Sequence, residues 1–71
     1  MKIMRTTKNV TVNDRAQNET GKYGFTVSNN YKRVIFTTDI IEARAVASKI
    51  AKAENKKIAF NIDGCYHIEE A

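Results

Sequence analysis

The sequence predicts an α+β fold, in which an antiparallel β-sheet carries one α-helix on one face, in the order β-β-β-α-β-β. Stretches rich in β-branched and aromatic residues, separated by turn-forming residues, occur before residue 39 and again after residue 55. The segment between them has the 3.6-residue periodicity of an amphipathic helix. The 71 residues of the chain suffice for one thin core, so we expect a single domain, 1–71.

The first strand is predicted within the stretch from Lys2 to Val12, where the sequence "VTV" favours β-structure. Residues 13–21 that follow contain no apolar side chain except Ala16, and they are predicted to form a loop. Such a loop is long for so small a domain, so we expect it to be mobile or functional.

Strands 22–28 and 31–38 are predicted to form a hairpin around Asn29-Asn30, because asparagine tolerates the positive φ of a type I′ turn. This register places Phe25 opposite Val34 and turns both toward the helix. The other face of the hairpin would hold Gly24, Thr26, Ser28, Tyr31, Arg33, Ile35 and Thr37. Gly24 on that face marks a bulge or a close approach to the backbone.

The helix is predicted over residues 39–55. Asp39 with Glu42 three residues later resembles a capping box. At 100° per residue, one arc of this helix is apolar and rich in alanine, and we expect it to pack on the sheet. That arc contains Ile40, Ala43, Val46, Ala47, Ile50 and Ala51.

The last segment, residues 56–70, is predicted to form a second hairpin. A two-residue turn at Asp63-Gly64 would separate the apolar residues of its two strands onto opposite faces. A three-residue turn with Gly64 left-handed brings them together, and we expect this turn, with Asn61 opposite Cys65. The expected core then comprises Tyr23, Phe25, Val27, Val34, Phe36, Ala43, Val46, Ala47, Ile50, Ile58, Phe60, Ile62, Tyr66 and Ile68.

The stretch "GKYGFTV", residues 21–27, is close to the strand of RNA-recognition motifs whose aromatic side chains stack on bases. That motif needs two helices, whereas this chain has one helical segment. The predicted register also turns Tyr23 and Phe25 toward the helix. We therefore expect these two aromatics to pack in the core.

Charge is unevenly distributed along the chain, whose formal net charge is +4. Residues 1–38 carry a net charge of +5 and residues 39–71 a net charge of −1, which favours an anionic partner for the first half or simply keeps the protein dispersed in water. No apolar run is long enough for a membrane span, and the N-terminus has no apolar signal segment. With one cysteine, a cytoplasmic protein without membrane contact is expected.

Catalytic groups are sparse in this sequence. His67 is the single histidine, with Cys65 two residues before it, and no second cluster supplies the three or four ligands that a metal needs. We expect His67 to be an exposed strand residue beside Ala59. The chain is predicted not to be an enzyme and to bind no cofactor or metal.

Two segments resemble known families. The segment "YKRVIFTTDIIEARAVA" resembles the arm-type DNA-binding domains of tyrosine integrases through Phe36, Thr38, Glu42 and Ala43, with a spacing one residue longer; this resemblance implies a sheet that binds DNA. Strands followed by "TTDIIEARAVASKIA" and a terminal hairpin resemble small phage host-takeover proteins, such as anti-CRISPR proteins and phage inhibitors of host RNA polymerase. That resemblance implies inhibition by steric occlusion of a host protein or ribonucleoprotein complex.

Two functional hypotheses follow. A protein-binding inhibitor would use the open sheet face and an exposed helix residue, with interface-type side chains; these are Thr26, Tyr31, Arg33, Ile35 and Ile41. A nucleic-acid-binding module would use the basic residues of the first half to contact phosphates; these are Arg5, Lys8, Arg15, Lys22 and Lys32. An uncovered sheet edge offers, in either case, a route to a homodimer.

Overall fold

The computed structural model describes residues 6–71 and confirms the predicted α+β class and the order of the elements. The strands are β1 (Asn9–Gln17), β2 (Tyr23–Asn29), β3 (Lys32–Thr37), β4 (Lys57–Ile62) and β5 (Cys65–Glu69), and the helix is α1 (Ile40–Glu54). The helix packs on β1, β2, β3 and β4. No helix in the described part of the chain is long and apolar enough to cross a membrane.

The five strands form one sheet in the order β3-β2-β1-β4-β5. The pair β1–β4 is parallel and the other three pairs are antiparallel, so the sheet is mixed and the expected wholly antiparallel sheet is wrong. The parallel pair arises because α1 carries the chain from the edge strand β3 across the sheet to β4 on the far side of β1.

The expected loop over residues 13–21 is wrong, because β1 continues to Gln17 through an irregularity at which Arg15 has a φ of 56°. Only a short connection remains. The side-chain oxygen of Asn18 accepts hydrogen bonds from the backbone N–H groups of Thr20 and Lys22, each at 3.0 Å. This side-chain turn holds the connection between β1 and β2.

The first hairpin turns one residue later than predicted. Its two turn residues are Asn30 and Tyr31, with φ of 54° and 67°, which are the left-handed conformations of a type I′ turn. Asn29 pairs with Lys32, and a bulge at Val34 then shifts the register. As a result Ile35, and not Val34, lies opposite Val27 and packs against the core.

The second hairpin has the two-residue Asp63-Gly64 turn, so the expected three-residue turn is wrong. Both turn residues have positive φ, 53° and 75°, and Ile62 pairs directly with Cys65. The two-residue turn moves every side chain of β5 to the face opposite the one expected. Tyr66 and Ile68 therefore point away from the helix, while His67 lies opposite Phe60.

The core lies between α1 and the centre of the sheet. Its fully buried residues include Val10 and Val12 of β1, which the sequence prediction omitted. The remaining core residues are Val27, Ala43, Ala47, Ala51, Ile58 and Phe60, with Phe25, Ile35, Ile40, Val46, Ile50 and Ile62 packed around them. Four residues expected in the core are exposed, namely Tyr23, Val34, Tyr66 and Ile68.

The helix begins and ends where the sequence predicts, but the capping box is not formed, because the Asp39 N–H donates to Thr37 Oγ1 and not to Glu42. The Asp39 side chain caps the N-terminus by accepting a hydrogen bond from the Ile41 N–H at 2.9 Å. Asn55 ends the helix in the left-handed conformation. The alanines at 43, 47 and 51 are fully buried and let the helix lie close to the sheet.

A network of polar side chains around Lys56 fastens the first hairpin to the end of the helix. The Lys56 ammonium lies 2.7 Å from Asn29 Oδ1, 2.8 Å from Asn30 Oδ1 and 3.0 Å from Glu54 Oε1. Its side chain is only 10% exposed. On the other side of the turn, Thr7 and Asn30 exchange two hydrogen bonds.

Candidate functional site

The face of the sheet opposite α1, called the open face below, has no helix or strand of residues 6–71 packed on it. The strand pairings arrange its side chains in two rows that cross the sheet. One row is Arg33, Ser28, Thr11, Ala59 and Ile68; the other is Phe36, Thr26, Asn13, Asn61 and Tyr66. With strands about 4.8 Å apart, each row spans roughly 19 Å.

The apolar part of the open face is concentrated at β5. Tyr66 is 63% exposed and Ile68 is 48% exposed, and the small Ala59 between β1 and Ile68 is buried. These side chains form a raised apolar border beside a row of hydroxyl and amide groups. An exposed tyrosine beside an exposed isoleucine is typical of a protein-binding surface.

At the opposite end of the row that contains Tyr66, the Phe36 side chain covers Gly24. A Cβ atom at Gly24 would lie 2.8 Å from the Phe36 ring and 2.6 Å from the Thr37 carbonyl oxygen. The close approach expected at Gly24 is thus made by the chain's own aromatic ring. Phe36 belongs to the open face and is half-buried there, so its expected place in the helix-side core is wrong.

Charges on the open face are mainly positive. Arg33 is exposed on the edge strand β3, and Lys57 pairs with Glu70, Nζ to Oε1, at 3.3 Å. The centre of the face carries uncharged polar groups. The face therefore fits a partner that offers a carboxylate opposite Arg33 and an apolar recess opposite Tyr66.

The residues predicted to bind a partner are not brought together. Arg33 lies on the open face as predicted, and Thr26 lies there too but is buried at 6% exposure. Ile35 faces the helix, which contradicts its expected place on the open face. Tyr31 at the tip of the turn and Ile41 on the helix are each 74% exposed, so they are free to contact a partner from other sides.

The residues predicted to contact nucleic acid are also dispersed. Lys8 and Lys32 lie near the first hairpin turn, whereas Arg15 and Lys22 lie near the opposite end of β1 and β2. All four are exposed. Arg5 lies outside the described residues.

The only histidine lies on the helix side of β5, so its expected place on the open face is wrong. The His67 ring stacks on the Phe60 ring with centroids 5.2 Å apart. The Arg44 guanidinium also lies over the Phe60 ring, 4.6 Å from its centroid. Glu69 joins His67 to Arg44, since its carboxylate lies 2.7 Å from His67 Nε2 and 3.0 Å from the Arg44 guanidinium. The hydrogen bond from His67, with the positive charge of Arg44, lowers the pKa of Glu69.

The second hairpin thus has a polar cluster around Glu69. Within the described part of the chain, no three His, Cys, Asp or Glu side chains are grouped closely enough to hold a metal ion. A shallow groove of about 380 Å³ lies beside the second turn, lined in part by Tyr23, Phe25 and Ile62. The Asp14 carboxylate in this groove accepts a hydrogen bond from the Asp63 N–H at 2.7 Å, which fastens the turn.

No protein-family model matches the chain, and no curated protein or solved structure is significantly similar to it. The choice of the open face as the candidate site therefore depends on the geometry of the sheet alone. Sequence reasoning missed Phe36, Tyr66, Ile68 and Lys57 as residues of the open face. The signal that identifies two of them is the dipeptide Asp63-Gly64, which favours a two-residue turn and thereby fixes the direction of Tyr66 and Ile68.

Proposed function

We propose that this chain is a non-enzymatic protein-binding module that docks through its open face and acts as a small inhibitor. By covering a surface that a host nucleic-acid-processing or defence complex needs, it would block that complex sterically, in the manner of phage host-takeover proteins. The chain would act in the cytoplasm, where a lone exposed thiol such as Cys65 stays reduced.

One observation carries the proposal: a five-stranded sheet presents an open face that combines an arginine on one edge strand with an aromatic and an aliphatic side chain on the other. Arginine and tyrosine are the residue types that most often dominate binding energy. The threonine and asparagine side chains between them supply hydrogen bonds at low conformational cost.

The dimensions of the domain suit occlusion. Its principal extents are 37 × 29 × 20 Å. A face of this size can bury roughly 800 Å² on each partner, the area of a standard protein–protein interface. A rigid sheet has little conformational entropy to lose on docking.

Two exposed tyrosines provide a matched test of the face that binds. Tyr66 on the open face is 63% exposed, and Tyr23, at the start of β2 on the helix side of the sheet, is 66% exposed. Tyr66→Ser and Tyr23→Ser remove the same atoms from opposite faces. Tagged wild-type and variant proteins would be incubated with nuclease-treated host lysate, and retained proteins quantified by mass spectrometry after circular dichroism has shown that each variant is folded.

The expected result is a protein partner that wild type and Tyr23→Ser retain in equal amounts and Tyr66→Ser loses at least about tenfold, which corresponds to 1.4 kcal/mol or more of binding free energy. Arg33→Ser should weaken the same partner. If Tyr66→Ser retains the partner as well as Tyr23→Ser does, the open face is not the docking surface.

The row of hydroxyl and amide groups between Phe36 and Tyr66 favours a second candidate, the binding of single-stranded nucleic acid. Such proteins combine aromatic side chains with basic residues around a shallow groove. Fluorescence anisotropy with a labelled oligonucleotide at low and high salt tests this function directly. A steep salt dependence together with loss of binding in Tyr66→Ser would favour nucleic acid, and partners that disappear after nuclease treatment would agree with it.

A further inference from the structure

The outer edge of β5 presents backbone groups that no strand of residues 6–71 pairs with. In a hairpin with a two-residue turn, the residues flanking the turn form a hydrogen-bonded pair, and such pairs then alternate along the strands. Ile62–Cys65, Phe60–His67 and Ile58–Glu69 are therefore the hydrogen-bonded pairs. The N–H and C=O groups of Tyr66 and Ile68 consequently point outward.

The two edges of the sheet differ in how far they are blocked. The edge strand β3 has a bulge at Val34 and two adjacent cationic side chains, Lys32 and Arg33, which are the usual devices that keep an edge from pairing. The pairing of β5 is regular throughout, and α1 contacts this strand through the Arg44–Glu69 ion pair. The edge at β5 is thus regular and only lightly covered on its helix side.

We propose that a second copy of this chain binds at β5, in an antiparallel β5–β5 pair with its two-fold axis at His67. In this register Tyr66 of one copy lies opposite Ile68 of the other, and the four outward backbone groups of each copy form four intermolecular hydrogen bonds in total. Cys65 lies opposite Glu69 of the second copy, so no two carboxylates face each other directly.

Side-chain complementarity selects this occupant. Tyr66 and Ile68 both lie on the open face, so the pairing joins an aromatic to a β-branched side chain twice and covers apolar surface that is exposed in the single chain. The two helices lie on the other side of the sheet, away from the junction. The dimer would have one continuous sheet with a doubled open face. This inference stands independently of the proposed function.

The small number of paired residues implies a weak dimer, because interfaces at the low end of the size range give transient association. Sedimentation velocity of the whole chain over a roughly hundredfold concentration range should show a monomer–dimer equilibrium. Ile68→Pro removes an outward N–H that the pairing with β4 does not use, and proline is tolerated on edge strands. This variant should stay folded and sediment as a monomer throughout.

Cysteine trapping tests the register and remains informative if the proline variant fails to fold. In Cys65→Ser/His67→Cys, the new cysteines lie opposite each other at a non-hydrogen-bonded pair, with Cα atoms about 4.5 Å apart, a separation compatible with a disulfide. Mild oxidation should link this variant at least about tenfold faster than Cys65→Ser/Tyr31→Cys, whose cysteine takes a highly exposed position in the turn of the first hairpin.

Two results would overturn the proposal. One is a wild-type chain that stays monomeric at every concentration, and the other is equal rates of linkage for the two cysteine variants. If the chain is monomeric and Ile68→Pro abolishes its binding to another protein, the β5 edge accepts a strand from that protein instead.

Discussion

The two hairpins of this protein use the same turn but differ in what surrounds it. The first hairpin, β2–β3, turns through Asn30 and Tyr31, and the second, β4–β5, turns through Asp63 and Gly64; all four residues have a φ between 53° and 75°. The backbone conformation is therefore nearly the same at the two turns. The difference between the hairpins comes from the tertiary contacts of each.

The first hairpin is fastened on several sides. Lys56 bonds Asn30 in its turn, Glu54 accepts a hydrogen bond from the Asn29 side chain beside the turn, Thr7 bonds the turn from the chain before β1, and Ile35 of its outer strand packs in the core. Within residues 6–71, the second turn has one side-chain bond from another element, the Asp14 carboxylate to the Asp63 N–H, and its outer strand is mostly exposed. The contrast indicates that the first hairpin is fastened into the fold, while the second has a face and an edge that no other strand or helix of residues 6–71 covers fully.

The largest effect is expected from removing the fastening of the first hairpin at Lys56. Lys56→Met keeps the length of the side chain but removes the ammonium, which leaves Asn29, Asn30 and Glu54 without their shared donor. Loss of hydrogen bonds that involve a charged group should lower the free energy of unfolding by about 2 kcal/mol. Thermal unfolding should show a midpoint lower by about 8–16 °C.

Lys52→Met is the control for that substitution. Lys52 lies in the last turn of the same helix and is exposed, so its replacement should change the midpoint little. Equal destabilisation by both substitutions would show that the Lys56 network does not stabilise the first hairpin.

The sequence predicts the class of the fold, the order of its elements and the helix, including its cap at Asp39 and its buried alanines. Those features follow from residue types that are close together in the sequence and from the 3.6-residue periodicity of the helix. The tertiary contacts of the fold do not override either of them. Both hairpin registers failed, for different reasons. The first prediction rested on an Asn29-Asn30 turn, whereas the turn lies at Asn30 and Tyr31 and a bulge follows at Val34. The second prediction required the apolar side chains of both strands to share one face, whereas Tyr66 and Ile68 face away from the helix.

The open face was predicted to exist, but most of its residues were not. One residue more or fewer in a turn, or one extra residue in a bulge, moves the side chains that follow to the other face. The bulge at Val34 therefore exchanged Ile35 for Phe36 on the open face, and the two-residue turn at Asp63-Gly64 exchanged His67 for Tyr66. The central strand β1 was also missed in part, because its pairing with β4 depends on residues about fifty positions apart. Local sequence contains no signal for that contact.

An effect of about the same size is expected at Gly24, where the first hairpin is tightly packed on the open face. In Gly24→Ala the new Cβ would meet the Thr37 carbonyl oxygen at 2.6 Å and the Phe36 ring at 2.8 Å, so strand or ring must shift. Overpacking of this kind should cost about 2 kcal/mol. Denaturant unfolding measures the cost.

Gly64→Ala is the matched change in the second hairpin. The added Cβ meets nothing within 4 Å there, but the φ of 75° is left-handed, and the cost should be about 1 kcal/mol. Gly64→Asn should recover most of that loss, because asparagine tolerates this conformation. If Gly24→Ala costs less than Gly64→Ala, Phe36 does not pack firmly over Gly24.

A gain in stability is expected at the turn of the first hairpin. Tyr31 has a φ of 67° although it is a bulky residue, and with 74% exposure it has little packing to lose. Tyr31→Gly creates an Asn-Gly turn, the preferred type I′ sequence, and should raise the free energy of unfolding by about 1 kcal/mol. Tyr31→Ala retains a Cβ in the left-handed conformation and should show no such gain, so equal effects of the two substitutions would exclude relief of backbone strain.

The smallest effect expected is a loss of stability in acid, which should occur separately in the two hairpins. Hydrogen bonding to Lys56 lowers the pKa of Glu54 below the ordinary value of a glutamate, and hydrogen bonding to His67 lowers the pKa of Glu69 in the same direction. A carboxyl group whose pKa is lower in the folded state stabilises the fold above its unfolded pKa. That contribution is lost as the pH falls below the unfolded pKa and through the lowered folded pKa.

Amide NMR spectra recorded across this acidic range would separate the two groups. Protonation of Glu69 should move the amide signals of β5 and of Phe60, while protonation of Glu54 should move those of Asn29 and Asn30. In Glu69→Gln the acid-dependent movement at β5 should disappear and that at the first turn should persist, and Glu54→Gln should give the reverse. If one substitution removes the movement at both hairpins, the two are coupled through the sheet, and β5 is then no freer in solution than the fastened hairpin.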